Sequence, residues 1–271
     1  MRIASLHIHP VKGMRAADLS AAAVERHGLQ HDRRWLVTNA DGTFLTQRDY
    51  PALARVEASP TGTGLRLSVA GQDAIEVTQP DGMNRLAVTI WGTDVDAAAA
   101  DALADEWLSD FLQTDARLVF MDRDASRLKD SEWTDEPVPV SFADAFPILV
   151  TTIGSLEAVN RDIEAHNGTA VPMARFRPNI VIEGADDWAE DHWTRLAVGE
   201  VTLDLVKPCD RCIVTTTDQT TGKRNGKQPL ASLARLRQSK DPRIKGVLFG
   251  VNAVPRTLGV VYVGDSVRVL E

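Results

Sequence analysis

Apolar and polar positions alternate from the first residues of the chain. Ile3, Ser5 and His7 interleave with Ala4, Leu6 and Ile8, the period-2 pattern of a strand with one face turned to a core. RWLVTN and TFLTQR flank Ala40-Asp41-Gly42, where Asp-Gly supplies the positive φ of a tight turn, so the pattern predicts a hairpin. LARVEAS, GLRLSV and RLAVTIW continue the strand signal. Between Asp101 and Gln113 the period changes: Leu103, Trp107, Leu108, Phe111 and Leu112 recur at helical spacing and leave Asp105, Glu106 and Asp110 to solvent. A surface helix there would close a first lobe, residues 1–115.

The remainder, residues 116–271, reads as a second lobe. After the strand-like ARLVFMD, a polar stretch from Arg123 to Glu136 runs into Pro137 and Pro139 and reads as a loop. FPILVTT, NIVIEG, EVTLDLV, CIVTTT, GVLFGVNAV and GVVYVGDSVRVL read as strands. Leu156, Val159 and Ile163 mark an amphipathic helix, and Pro229 to Gln238 a shorter one with proline at its start, where a missing N–H is harmless. Many short strands with few helices predict a β-rich α+β chain, barrel-like with peripheral helices. A doubly wound parallel sheet is disfavoured, because no Gly-rich turn joins a strand to a helix.

Composition narrows the function classes. The chain has 271 residues, 44% hydrophobic and 25% charged, enough for an ordinary globular core. Lys and Arg number 30 against 38 Asp and Glu, a net charge of −8 that argues against nucleic acid as a partner. No stretch is long and apolar enough for a membrane span, and the first residues carry no apolar leader core. The two cysteines lie three positions apart, too close to staple a domain, so a reducing cytoplasm is the expected location.

Those cysteines, Cys209 and Cys212, are the first candidate chemistry. Structural zinc would need a second ligand pair, which does not follow. A dithiol redox pair would need a helix N-terminus, whereas this pair falls between two strand-like runs. Dithiol redox chemistry, two buried small side chains and a single thiolate for a soft metal stay open; Lys207 and Arg211 beside the pair would favour an anionic sulfur and so the single thiolate. The second candidate is a set of basic residues segregated from the acids: Lys12, Arg33, Arg34, Arg48, Arg175 and Arg177, with VPMARFRPNI free of acids and EGADDWAED rich in them. Arg forks match phosphate, so the set points to an anionic small molecule if it converges. Asn179 offers an amide that could read a heterocycle edge. His7 and His9 share a strand face but lack a third ligand. Gly-x-Ser-x-Gly, His-Glu-x-x-His and the P-loop pattern are absent.

HPVKG, HDRRWLVTNADGTFLTQR, RFRPNIVIEG, KPCDRCIVTTTDQTTG and LFGVNAVPRTLGVVYVGDSVRVL, in that order, resemble the MOSC family, specifically its two-lobe, amidoxime-reducing branch. The resemblance implies a MOSC β-barrel-like domain with an N-terminal β-rich lobe, and a molybdenum cofactor, a pyranopterin whose dithiolene holds the metal. By position, Cys212 is the implied metal ligand and Cys209 is not. Lys12, Gly13, Arg33, Arg177, Asn179, Asp210 and Arg211 are implied cofactor contacts. Asp144, Ala145 and Phe146 are implied to pass the pterin, with Ala145 and Phe146 offering backbone only and Asp144 carrying a proton or orienting its neighbours. Asn252 matches the bacterial form of the pattern. The implied activity is reduction of N-hydroxylated compounds such as amidoximes, hydroxylamines and base analogues. Electrons would come from a separate flavin or iron–sulfur reductase, since no ferredoxin cysteine cluster is present. The alternative is a sulfur carrier or cofactor-delivery protein with a Cys212 persulfide. Pyridoxal phosphate enters only by association, through family members fused to sulfurases that use it.

Overall fold

The computed structural model describes residues 1–129 and 132–270. Its largest sheet has eight strands in the order Ala17–Leu19, Arg2–Ile8, Ile180–Glu183, Ile148–Thr152, Val247–Pro255, Val201–Arg211, Arg195–Val198 and Val267–Val269. Neighbours are antiparallel except Ile148–Thr152 and Ile180–Glu183, which run parallel. That pair needs a crossover, and the helix Ile153–Ala165 supplies it. Thr152 ends the strand and caps the helix, its hydroxyl accepting from Ser155 N at 3.1 Å. Strand Arg2–Ile8 pairs with Ile180–Glu183, so the first residues of the chain complete a sheet built by its second half.

The other sheets carry the first half. Trp35–Thr38, Arg117–Phe120, Thr93–Ala99 and Arg85–Ile90 form one, and Glu57–Pro60, Gly64–Val69 and Gln72–Thr78 another. The helix Ala102–Leu112 seals them, with Trp107 and Leu108 in one core with Trp35, Leu65 and Leu67. Asp101 caps it by accepting from Ala104 N at 3.0 Å. The β-rich α+β expectation holds. Among the described residues, no helix is long and apolar enough to cross a membrane.

Several local expectations are corrected. Leu103 is 54% exposed while Ala104 is fully buried, because the helix turns the face of Ala104, Trp107 and Leu108 to the core and leaves Leu103 off it. TFLTQR makes only a short return arm: Phe44 bridges Thr38 and Leu45 N donates to Val37 O at 2.8 Å, after which the chain turns away. In LARVEAS, Pro51–Arg55 is a 3-10 turn and only Glu57–Pro60 is strand. CIVTTT is not a strand. Ile213–Thr216 forms a 3-10 turn, because the hydroxyls of Thr215 and Thr216 donate back to the carbonyls of Cys212 and Ile213 at 2.9 and 2.7 Å. The strands Thr93–Ala99, with two aspartates, and Arg195–Val198, only four residues long, were not among the predicted ones. Part of the predicted loop between Arg123 and Glu136 lies outside the described residues.

Candidate functional site

A cavity of about 740 Å³ opens where the loops of both halves meet. Lys12, Gly13, Arg33, Asp144, Ala145, Phe146, Arg177, Asn179, Asp210, Arg211, Cys212 and Asn252 all line it. Residues up to 240 positions apart in the chain thus share one wall.

The strand Val201–Arg211 delivers the cysteine pair. Two register shifts, between Leu205 and Lys207 and between Pro208 and Asp210, bend it, so Lys207, Cys209, Asp210 and Arg211 all reach the cavity. Cys212 ends the strand and starts the 3-10 turn. Both cysteines are free thiols. Arg211 Nη1 donates to Cys209 Sγ at 2.9 Å, and Arg48 Nη2 to Cys212 Sγ at 3.6 Å. Lys207 pairs with Asp210 at 2.6 Å, and Asn252 Nδ2 holds Lys207 O at 3.2 Å.

The basic set divides. Lys12 Nζ donates to Phe142 O at 2.8 Å and forms an ion pair with Asp144. Burial lowers the Lys12 pKa despite the opposing pull of Asp144. Asp144 also accepts from Trp91 Nε1 at 2.8 Å. Desolvation alone would raise the Asp144 pKa, but the Lys12 charge and hydrogen bond, with help from Trp91 and Arg33, outweigh it and hold the carboxyl well below the usual range. Arg33 takes a left-handed backbone, pairs with the buried Asp32, and donates to Asn179 Oδ1 at 3.0 Å. Arg177, also left-handed, donates to Met14 O at 2.7 Å and Gln219 Oε1 at 2.9 Å. Burial first, and the Arg33 charge second, pull its pKa down to about 9. Among the described residues no carboxylate pairs with Arg177 or Arg211, and Arg211 Nε is buried without a partner. Arg34 and Arg175 stay outside the cavity.

Asn179 lines the cavity but is a hub of the fold. Its Oδ1 accepts from Arg33 and from Leu149 N at 3.1 Å, and its Nδ2 donates to His7 O at 3.1 Å, so one amide N–H is left for any ligand. Phe146 is core, packed with Val138 and Val140. His7 bonds Ser5 and Asp18, and His9 lies buried beneath Asp32, so neither reaches the cavity. Among the described residues, no group of three His, Cys, Asp or Glu side chains converges.

Several wall residues, Phe44, Gln47, Arg48 and Trp91 among them, were missed as site residues. Phe44, Gln47 and Trp91 drew no attention in the sequence, and Arg48 stood out only as one basic residue among several. The signal for Trp91 was its place in Trp91-Gly92, a two-residue turn between apolar runs, where a bulky aromatic is out of keeping.

The comparisons agree with this architecture. Residues 1–115 match the MOSC N-terminal beta barrel domain, and residues 137–268 match the MOSC domain. Mitochondrial amidoxime-reducing component 1 of Xenopus laevis is 32% identical over 283 residues, covering 98% of this chain and 81% of that protein. Its human counterpart is also 32% identical, covering 99% and 82%. Mitochondrial amidoxime reducing component 2 of Bos taurus is 31% identical over 280 residues, covering 98% and 82%. The chain belongs to the MOSC family.

Proposed function

We propose that this protein is a molybdenum-cofactor-dependent oxidoreductase that reduces N-hydroxylated compounds: amidoximes, hydroxylamines and N-hydroxylated base analogues. The observation that carries the reading is one cavity in which the Cys212 thiol meets two part-buried guanidiniums, Arg177 and Arg211, that have no carboxylate partner among the described residues. Part-buried cations without a carboxylate partner call for an anion, and a thiol with no converging set of protein co-ligands among the described residues suits a metal that arrives with its own ligand set. A pyranopterin phosphate with a dithiolene-bound metal meets both needs, and the relatives named amidoxime-reducing components support the reaction class.

Cys212 Sγ would ligate the metal. Arg33, Arg177, Arg211 and Lys12 would hold the phosphate and pterin, with backbone groups of Gly13, Ala145 and Phe146 alongside and Asn252 and Asp210 at the edge. When bound, the cofactor supplies the two-electron chemistry that cleaves an N–O bond. This chain's share is binding, orientation and protons. Asp144, ionised at neutral pH, orients Lys12 and Trp91 and is a poor proton donor. Lys12 Nζ, whose proton burial loosens, is the better source of a proton for the departing oxygen. Phe44, Trp91 and Trp133 contribute an aromatic stretch to the cavity wall. Two lobes, residues 1–115 and 116–271, would meet at this cavity, and a separate flavin or iron–sulfur reductase would deliver electrons.

The test is to purify the protein from a host that makes molybdenum cofactor, measure bound molybdenum, and assay amidoxime reduction with a reduced viologen. Stoichiometric metal and turnover are expected. Metal-free protein with no turnover would overturn the reading.

A further inference from the structure

Trp91 stands where a tight turn least tolerates it. Strands Arg85–Ile90 and Thr93–Ala99 pair Ile90 with Thr93, leaving the two-residue loop Trp91-Gly92. Both loop residues have positive φ, 51° and 78°, the geometry that asparagine, aspartate and glycine accept and an aromatic side chain resists. The side chain is also 45% exposed, so burial does not repay the strain. What it touches does. Its indole lies under the Arg48 guanidinium, 4.6 Å from ring centroid to Cζ, and Phe44 braces it edge-on at 5.1 Å. Its Nε1 is tied to Asp144.

Arg48 is held from the other side too. Arg224 donates to the carbonyls of Arg48 and Gln47, pinning the loop that carries it. Among the described residues no carboxylate pairs with Arg48, and its free end reaches Cys212 Sγ at 3.6 Å. A long flexible cation is thus fixed at a sulfur by an aromatic face and a pinned backbone.

We propose that Arg48 is a positioning residue for the Cys212 sulfur and that Trp91 clamps it there, the strained turn being kept for that purpose. This deepens the functional reading above and rests on it. Arg48 donates to the sulfur and places a positive charge beside it. A metal joined to that sulfur would feel both the fixed direction of the Cys212 side chain and the nearby charge.

Trp91→Asn is the decisive variant, because asparagine suits the turn and removes the folding penalty as an explanation. In molybdenum-loaded protein, Trp91→Asn and Arg48→Met should both displace the EPR g-values of the metal in the same direction. Both should lower kcat about tenfold with KM within about twofold. The melting temperature of Trp91→Asn should not fall. The double variant should match the worse single variant, since the two side chains act as one unit. Trp91→Phe keeps an aromatic face under Arg48 without the indole N–H, and should recover most of kcat and the wild-type spectrum. Wild-type molybdenum signals that survive unchanged in Trp91→Asn, or additive losses in the double variant, would overturn the clamp alone. Wild-type protein without molybdenum would overturn the functional reading and the clamp with it.

Discussion

Gln47 and Gln219, 172 positions apart, face each other as a reciprocal amide pair: Gln47 Nε2 donates to Gln219 Oε1 at 3.1 Å and Gln219 Nε2 donates to Gln47 Oε1 at 2.9 Å. Both are buried, and the pair ties the loop after Phe44 to the loop after Cys212. Gln47 also donates to Gly13 O, and Gln219 accepts from Arg177. The two amides therefore join three parts of the cavity wall. Gln219→Leu should leave Gln47 Oε1, one Gln47 amide N–H and an Arg177 N–H without partners, while the other Gln47 N–H keeps Gly13 O, costing about 2–4 kcal/mol of stability. Urea denaturation checks this, and a loss below about 0.5 kcal/mol would show that the pair is dispensable.

Cys212→Ser should abolish molybdenum binding and turnover, because a hydroxyl is a poor substitute for a soft sulfur ligand. Cys209→Ser removes the sulfur that Arg211 contacts and should cost only about twofold. Metal analysis of the two purified variants distinguishes the cysteines. Equal metal loss in both would favour a dithiol unit.

The cavity should take up inorganic anions without any cofactor if Arg177 holds an anion as proposed. Its pKa, drawn down to about 9 by burial and by Arg33, means that its charge is held at a cost which a bound anion relieves. Inorganic phosphate at about 100-fold above its Kd should add about 2.7 kcal/mol to the stability of metal-free protein. Arg177→Met should lose most of that response. A phosphate-induced rise in melting temperature that is identical in wild type and variant would place the anion elsewhere.

Asp144 sets a pH signature. Its folded pKa is depressed below the unfolded value, so its contribution is present above about pH 4 and is lost as pH falls through the folded pKa. Asp144→Asn should therefore be less stable than wild type at pH 7, with the two converging in strong acid. Parallel stability curves down to about pH 2 would show that the Lys12 pair contributes nothing.

Electron supply follows from the reading of the chain as a terminal reductase. Loaded protein should reduce amidoximes with a viologen and remain inactive with NADH alone until a flavin or iron–sulfur reductase is added. Robust NADH turnover by the isolated chain would refute the separate donor.

Much of this protein is written locally. Alternation in Arg2–Ile8, the helical spacing of Trp107 and Leu108, and the Asp41-Gly42 turn depend on near neighbours, and the pattern reports them faithfully. The motif order around Lys12, Arg33, Arg177 and Cys212 likewise carried the family. What the pattern could not contain is convergence. Arg2–Ile8 pairs with Ile180–Glu183, Val201–Arg211 joins the same sheet through Val247–Pro255, and these long-range registers bring Arg33, Arg177 and Cys212 to one cavity. Side-chain competition decided other points: threonine hydroxyls turned a strand-like run into a 3-10 turn, and Asn179 was taken up by Arg33, Leu149 and His7. Trp91 and Arg48 are the clearest case. Neither neighbours the other in sequence, and their meeting beside Cys212 is a property of two hairpins folded together, because a cation finds an aromatic face only after the sheets have brought both there.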